Sequence, residues 1–325
     1  MIIVRTPLRI SLFGGGTDMN PFMTFYGGKV LSLAIDKYIY LSAHPLVESS
    51  DILLKYTINE RVNDPSKIQH RVFRYIAHKY NLEGIDIAVS SDIAAGTGLG
   101  SSSAFTVGVI NLLERYENRS PSKRFLANMA CEIEIDNLNE PIGLQDQFAS
   151  AFGGINIFHF NSRNDVLVQP IFPEESMIKM IKENFLLVRI KGTRSASELL
   201  VKQQALMGED ITIRRLEEMK SMVDKGLKAF MESPEALGKL LAASWDIKRK
   251  LSADVTNSYV DSIYNALIQY GFYGGKLLGA GGSGYLLMVG PSSIVKNLHE
   301  SEKYLTLRVN LDTEGSRLIY DSQHE

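Results

Sequence analysis

Three glycine-rich stretches carry most of the chemical signal in this chain: Gly14-Gly15-Gly16, the run Ala94-Ala95-Gly96-Thr97-Gly98-Leu99-Gly100-Ser101-Ser102-Ser103, and Gly279-Ala280-Gly281-Gly282-Ser283-Gly284. Backbone without Cβ atoms approaches a ligand closely and can aim several N–H groups at phosphate oxygens, so three such loops in one chain point to a polyphosphate guest. The middle run is the most informative. Its serines fall where a following helix has free N–H groups and where the helix dipole favours an anion. A serine that merely caps a structural helix is the competing reading of that run taken alone. The familiar nucleotide signatures do not account for the loops. Gly275-Lys276 has Tyr270 in place of the first Walker A glycine and Leu277 in place of its hydroxyl. Gly279, Gly281 and Gly284 satisfy G-x-G-x-x-G, but the strand-like Tyr285-Leu286-Leu287-Met288-Val289 follows where a dinucleotide fold needs a helix.

The elements that must position these loops follow from apolar spacing. Residues 2–13 read as a strand or hairpin ending in the first glycine turn, and 30–42, 51–57 and 84–90 as further strands. Residues 71–80 have helical spacing. The middle loop then leads from a strand into a helix over 104–117, and 121–138 reads as a second helix broken by Glu140-Pro141-Ile142-Gly143. Residues 185–190 form a strand that opens a helix-rich second half, with helices near 196–207, 211–231, 234–251 and 259–270. The third loop lies within 276–289, and residues 305–320 have strand character.

With 325 residues, 45% hydrophobic and 22% charged, the chain has the proportions of a two-domain globular protein. A formal net charge of −2, with lysine and arginine scattered, gives no footprint for nucleic acid, so no DNA or RNA partner is expected. Cys131 is the single cysteine and the six histidines show no zinc spacing. The start MIIVRTPLRI lacks the apolar run of a signal peptide, and no later run nears the ~20 residues of a membrane span. A cytoplasmic location without membrane contact is expected.

Taken together and in order, the loops resemble the three signature regions of the GHMP kinase superfamily. The segment from Pro7 to Asp18 is similar to the first, Gly98 to Ala104 to the second, and Lys276 to Gly284 to the third. The likeness extends through Gly143-Leu144-Gln145-Asp146-Gln147, Thr193-Arg194-Ser195-Ala196-Ser197 and Ser244-Trp245-Asp246-Ile247-Lys248. Two positions depart from the pattern: Ala94-Ala95 stand where proline is common, and Ser283 where glycine is frequent. The resemblance implies an α+β protein of two domains. Residues 1–180 would form the ATP-binding N-terminal domain, ribosomal-S5-like, and 181–325 a ferredoxin-like C-terminal domain, with the site between them. It further implies ATP and Mg²⁺ as cofactors, with ATP over Gly96, Gly98, Leu99, Gly100, Ser101, Ser102 and Ser103. Within the superfamily the likeness is to kinases of D-glycero-D-manno-heptose 7-phosphate, which phosphorylate the anomeric hydroxyl to a 1,7-bisphosphate for activated heptose and surface polysaccharide.

Residue by residue, the resemblance implies Asp146 as general base, kept ionised by Arg9. Ser102 and Glu134 match the magnesium positions, with Glu132 on a different helix face as the competing acid. Gly15, Gly16, Thr17 and Asp18, together with Gly281 and Gly282, would meet the acceptor. Each has a plainer reading: Asp146 as a turn residue after Gly143, Asp18 as a cap, Glu134 as a solvated helix residue. Arg194 beside Ser195 and Ser197 could clamp a second phosphate or be a surface arginine. A fucokinase-like enzyme acting on a free sugar, sharing the GGGTD form of the first loop, and a non-catalytic nucleotide-binding protein of the same fold are the rival readings.

Overall fold

The computed structural model describes residues 1–192 and 196–322. Among the described residues twelve strands fall into two sheets: β1 (Ile2–Phe13), β2 (Gly28–Pro45), β3 (Ile52–Lys55), β4 (Asn59–Val62), β5 (Ile85–Ser91), β6 (Ile155–Ser162), β7 (Asp165–Ile171), β8 (Phe185–Ile190), β9 (Gly274–Leu277), β10 (Gly284–Val289), β11 (Thr306–Leu307) and β12 (Arg317–Asp321). The helices are α1 (Asn20–Tyr26), α2 (Arg71–Lys79), α3 (Ser101–Tyr116), α4 (Lys123–Cys131), α5 (Gln145–Phe152), α6 (Glu175–Asn184), α7 (Ala196–Ala205), α8 (Asp210–Glu232), α9 (Pro234–Lys248), α10 (Ser258–Tyr270) and α11 (Ser292–Glu300).

The larger sheet runs β12-β1-β2-β5-β3-β4, and it forks at β2. The first residues of that long strand pair with β6, the last with β5, while β1 lies along its other edge. The smaller sheet has the order β11-β8-β10-β9, with antiparallel pairing throughout. Its chain order, a strand, helices, a hairpin, α11 and a last strand, is the ferredoxin-like arrangement expected for the second half. The tail crosses back: β11 joins the small sheet, whereas β12 pairs with β1 of the large one. The strand character expected over 305–320 is therefore divided between two short strands in different sheets.

Helix α3 shows why the large sheet can hold a ligand at one end. Most of its residues from Ser101 to Glu114 are buried, so it reads apolar on nearly every side, as a helix enclosed by sheet and helices must. Gly108 lets it press onto the sheet, since a Cβ there would stand 2.5 Å from a Leu41 methyl and 2.9 Å from Thr6 Oγ1. The helix also begins three residues before the expected Ala104, directly at Ser101, which puts the serine run in its first turn. The expected helix over 121–138 is likewise shorter and different in kind. Ser122 caps α4, accepting from Phe125 N at 3.1 Å, and after Cys131 the chain widens into a π-helical turn over Glu132–Asn137. Strands β6 and β7 and helices α1, α6 and α11 had no counterpart in the sequence reading. Among the described residues no helix is long and apolar enough to cross a membrane.

Candidate active site

The three glycine loops converge on one cavity of about 240 Å³. Strand β1 delivers Arg9 and Ser11 to it on the same strand face, two residues apart, as the alternation of a strand requires. Arg9 is almost fully buried and spends its guanidinium on two partners. Nε and Nη2 donate to the two carboxylate oxygens of Asp146 at 2.8 and 2.7 Å, and Nη1 donates to the Gly98 carbonyl at 2.7 Å. This bidentate fork fixes both the position and the rotation of the carboxylate. Asp146 sits in the first turn of α5, where the helix end suits a negative charge. Its side chain remains about a quarter exposed, toward the cavity.

The second loop reaches α3 through Gly96, Gly98 and Gly100, whose φ values of +72°, +78° and +75° are open to glycine and costly for other residues. Gly96, Gly98, Gly100, Ser101, Ser102 and Ser103 line the cavity. Leu99, expected to join them, does not: its side chain is in the core, and its carbonyl accepts from Arg9 N at 3.0 Å. The third loop packs on the second. A Cβ on Gly98 would come within 2.5 Å of the Leu278 carbonyl, and one on Gly279 within 2.5 Å of the Gly98 Cα, so the two backbones touch only because both positions are glycine.

Of the two candidate acids after α4, Glu134 faces the cavity end of α3, and Glu132 lies at the surface 3.3 Å from Lys79. Glu134 is buried. Its Oε1 accepts from Thr106 Oγ1 at 2.9 Å and from Ser102 Oγ at 3.4 Å, and its Oε2 accepts from Gln147 Nε2 at 2.6 Å. Burial pushes its pKa up to about 7, opposed by hydrogen bonds from Ser103, Gln147 and Thr106 and reinforced by the nearby Asp146 charge. A desolvated carboxylate beside a serine hydroxyl, with no basic side chain paired to it among the described residues, fits a hard divalent cation that takes few protein oxygens. Among the described residues no group of three acidic, histidine or cysteine side chains could hold a metal unaided, so phosphate and water would have to complete the shell.

In the first loop, Gly15, Gly16 and Asp18 line the cavity. Asp18 accepts from Gly16 N and Gln145 N, each at 3.0 Å, and clasps the loop to the start of α5. Burial raises its pKa, and those two N–H groups work against the rise. Gly143 makes room for this carboxylate, since a Cβ there would stand 1.9 Å from its Oδ2 and 2.4 Å from its Cγ. Thr17 was expected at the acceptor but is wholly buried. Its hydroxyl lies 2.7 Å from the Gly14 carbonyl and 3.0 Å from the Lys29 carbonyl, pinning the loop to β2. In the third loop Gly281 lines the cavity, whereas Gly282 is held away, its N–H on the Val255 carbonyl at 3.0 Å and its own carbonyl on Asn257 Nδ2 at 3.1 Å. Arg194 lies outside the described residues.

Ser11, Gln145, Lys248 and Lys276 also line the cavity, each named above only as part of a motif and given no role there. Ser11 Oγ and Gln145 Oε1 are buried without a protein partner, which suits the hydroxyl groups of a polar ligand. Ser11 could have been found from its two-residue spacing to Arg9. The two lysines fall in segments that the resemblance picks out, but they come from the far half of the chain and only the fold shows that they reach this cavity.

Residues 67–154 match the family described as GHMP kinases N terminal domain, and residues 216–301 match GHMP kinases C terminal. A D-glycero-alpha-D-manno-heptose 7-phosphate kinase of Campylobacter jejuni subsp. jejuni serotype O:2 is 28% identical over 321 residues, spanning 94% of this chain and 95% of that one. A galactokinase of Thermotoga petrophila is 27% identical over 328 residues, spanning 88% of each. Among solved structures, one titled as a D-glycero-D-manno-heptose 1-phosphate kinase from Bacteriodes thetaiotaomicron superposes with a TM-score of 0.80 at 20% identity, covering 99% of this chain and all of that one.

Proposed function

The chain belongs to the GHMP kinases, which are phosphotransferases, and from that premise we propose that it transfers the γ-phosphoryl group of ATP to the anomeric hydroxyl of D-glycero-D-manno-heptose 7-phosphate, giving the 1,7-bisphosphate. The observation that carries the reading is the Arg9–Asp146 fork, set in one cavity between the serine-rich start of α3 and the first glycine loop. The named heptose 7-phosphate kinase relative, similar along nearly its whole length, supports the choice of acceptor.

In this reading the polyphosphate lies over Gly96, Gly98, Gly100 and Ser101 to Ser103, where free N–H groups of the first α3 turn meet its oxygens. Ser102 and Glu134 would hold a magnesium ion. When bound, that ion offsets the negative charge of the phosphates. The acceptor hydroxyl is placed at Asp146. Arg9 occupies one lone pair on each carboxylate oxygen and leaves the others free to take the proton as the new O–P bond forms. Because Arg9 also binds the Gly98 carbonyl, one side chain ties the base to the phosphate loop and sets their separation. Ser11, Gln145 and the Gly15 N–H meet the remaining sugar hydroxyls, and Asp18, which takes the Gly16 N–H, keeps that loop and α5 in register.

The test is ADP release with ATP and magnesium across heptose 7-phosphate, mannose, fucose, galactose, homoserine and mevalonate, with phosphorus spectra of any product. Selective turnover of heptose 7-phosphate to a 1,7-bisphosphate is the expected result. Turnover of a free sugar alone would replace the acceptor and retain the chemistry, and ATP binding without turnover of any acceptor would leave a nucleotide-binding protein.

A further inference from the structure

Two lysines have no task in the reading above, and both line the same cavity. Lys248 closes α9 and Lys276 lies in β9. Both are buried, and among the described residues neither is ion-paired with a carboxylate. Their hydrogen bonds go to backbone carbonyls: Lys276 Nζ donates to Leu12 at 3.0 Å, and Lys248 Nζ to Gly279 at 2.5 Å and Leu277 at 3.3 Å. Leu12 leads into the first glycine loop, Leu277 and Gly279 flank the start of the third, and Gly279 lies against Gly98 of the second. The two ammonium groups therefore stand where all three loops meet.

The local charge is unbalanced. Arg9 faces both lysines, and the fork to Asp146 consumes the one carboxylate bound there. Burying like charges without partners is expensive, and the protein shows the expense. Burial, with Arg9 beside it, lowers the Lys248 pKa to about 8, and burial, Lys248 and Arg9 together push Lys276 well below the ordinary lysine range. An ammonium has three donors, and the carbonyls leave some of them on each lysine unused. Such a pair suits an anion that enters the cavity and is multiply charged.

Which anion is decided by position. An acceptor phosphate six carbons from the reacting hydroxyl would lie away from Asp146, whereas these lysines adjoin Arg9, which grips Asp146 and the Gly98 carbonyl together. We propose that Lys248 and Lys276 are catalytic residues whose spare N–H groups hold the oxygens of the phosphoryl group while it passes from nucleotide to acceptor. The bond from the γ-phosphorus to its bridging oxygen breaks with the electron pair leaving on ADP. The acceptor oxygen forms the new bond, its proton goes to Asp146, and the lysines change no covalent bond. This inference rests on the phosphoryl-transfer reading and not on the identity of the acceptor.

The experiment measures ADP affinity in magnesium buffer by calorimetry, with and without tetrafluoroaluminate, which imitates the phosphoryl group in transit. It compares the full chain with Lys248→Met and Lys276→Met, in which the apolar stem is kept and a buried charge removed. The parent protein should bind ADP more tightly with fluoroaluminate, and each variant should lose at least tenfold of that gain with ADP affinity alone unchanged. Turnover should fall by roughly 10²–10³ with the acceptor KM held, the size of loss seen when one donor to a developing charge is removed. A variant that keeps the fluoroaluminate gain overturns the proposal. So does a raised acceptor KM at unchanged turnover, which would make the lysines an anchor for the acceptor's own phosphate. A parent protein that binds ADP without any gain overturns the kinase reading as well. Failure of heptose 7-phosphate as a substrate leaves the fluoroaluminate comparison intact, so the two ideas fail separately. Melting curves check folding, and Lys248→Met decides alone where Lys276→Met does not fold.

Discussion

Alanine at position 143 should damage this protein far more than a single methyl group suggests. The added Cβ would overlap Oδ2 and Cγ of Asp18, whose buried carboxylate cannot turn aside without leaving its partners. Those partners are Gly16 N and Gln145 N, each at 3.0 Å, and hydrogen bonds to a charged group contribute roughly 1.5–3 kcal/mol apiece. Part of that returns, because a displaced Asp18 escapes the burial that raises its pKa, so the expected net loss is about 3 kcal/mol. Activity should fall too. Gln145 immediately precedes Asp146, and a shift of about 1 Å in a reacting group costs on the order of 10²-fold in rate. Urea unfolding and kcat/KM measured on Gly143→Ala, Asp18→Ala and the double variant give the cycle. With Asp18 gone the obstruction is gone, and the alanine should then cost less than about 1 kcal/mol. An equal penalty in both backgrounds would refute the reasoning and place the strain in the backbone at 143.

Three further outcomes follow from the same geometry. Asp146→Asn should lower kcat by roughly 10²–10⁴ with little change in the KM for ATP, because the amide keeps the shape but neither takes the proton nor completes the Arg9 fork; initial rates at saturating ATP decide it. Glu134→Gln should raise the magnesium concentration needed for half-maximal rate by at least tenfold, read by titrating magnesium at fixed ATP, and an unchanged requirement would remove Glu134 from the metal. Lys248 should make stability rise with pH. Its folded pKa of about 8 lies below the ordinary 10.5, so between those values the unfolded chain holds a proton that the folded protein has released, a gain of about 3 kcal/mol across the window. Urea midpoints from pH 7 to 10.5 should rise more steeply in the parent than in Lys248→Met, where the depressed Lys276 alone still contributes.

The loops were legible in the sequence because their chemistry is local. Glycines at 96, 98 and 100 followed by three serines announce a close-approach turn and a helix start whatever the rest of the chain does, and the structure places them there. Arg9 and Asp146 were paired through the family resemblance alone, because their fork spans 137 positions and no spacing rule reaches that far. Membership of a motif does not by itself turn a residue toward the cavity. Thr17, Leu99 and Gly282 belong to the same loops as their cavity-lining neighbours, yet they turn the other way to hold those loops against β2, the core and Val255. A loop that cradles a ligand needs a second face that anchors it, and these residues supply that face.

Glu134 shows how a departure from regular structure can decide a site. A continuous α-helix over 121–138 leaves the choice between Glu132 and Glu134 to helical phase, which sequence alone cannot set once the helix start is uncertain. The π turn over Glu132–Asn137 changes that phase just where it matters, adding room in the turn and swinging Glu134 inward to Ser102, Thr106 and Gln147, while Glu132 stays outside with Lys79. Such turns are strained relative to the α-helix and persist when something else repays them. Here the three hydrogen bonds to a buried carboxylate do part of that, and a cation shared with Ser102 and the nucleotide would do the rest. On this argument the π turn and the buried carboxylate belong together, because the same segment that widens after α4 holds Glu134 on Ser102, Thr106 and Gln147.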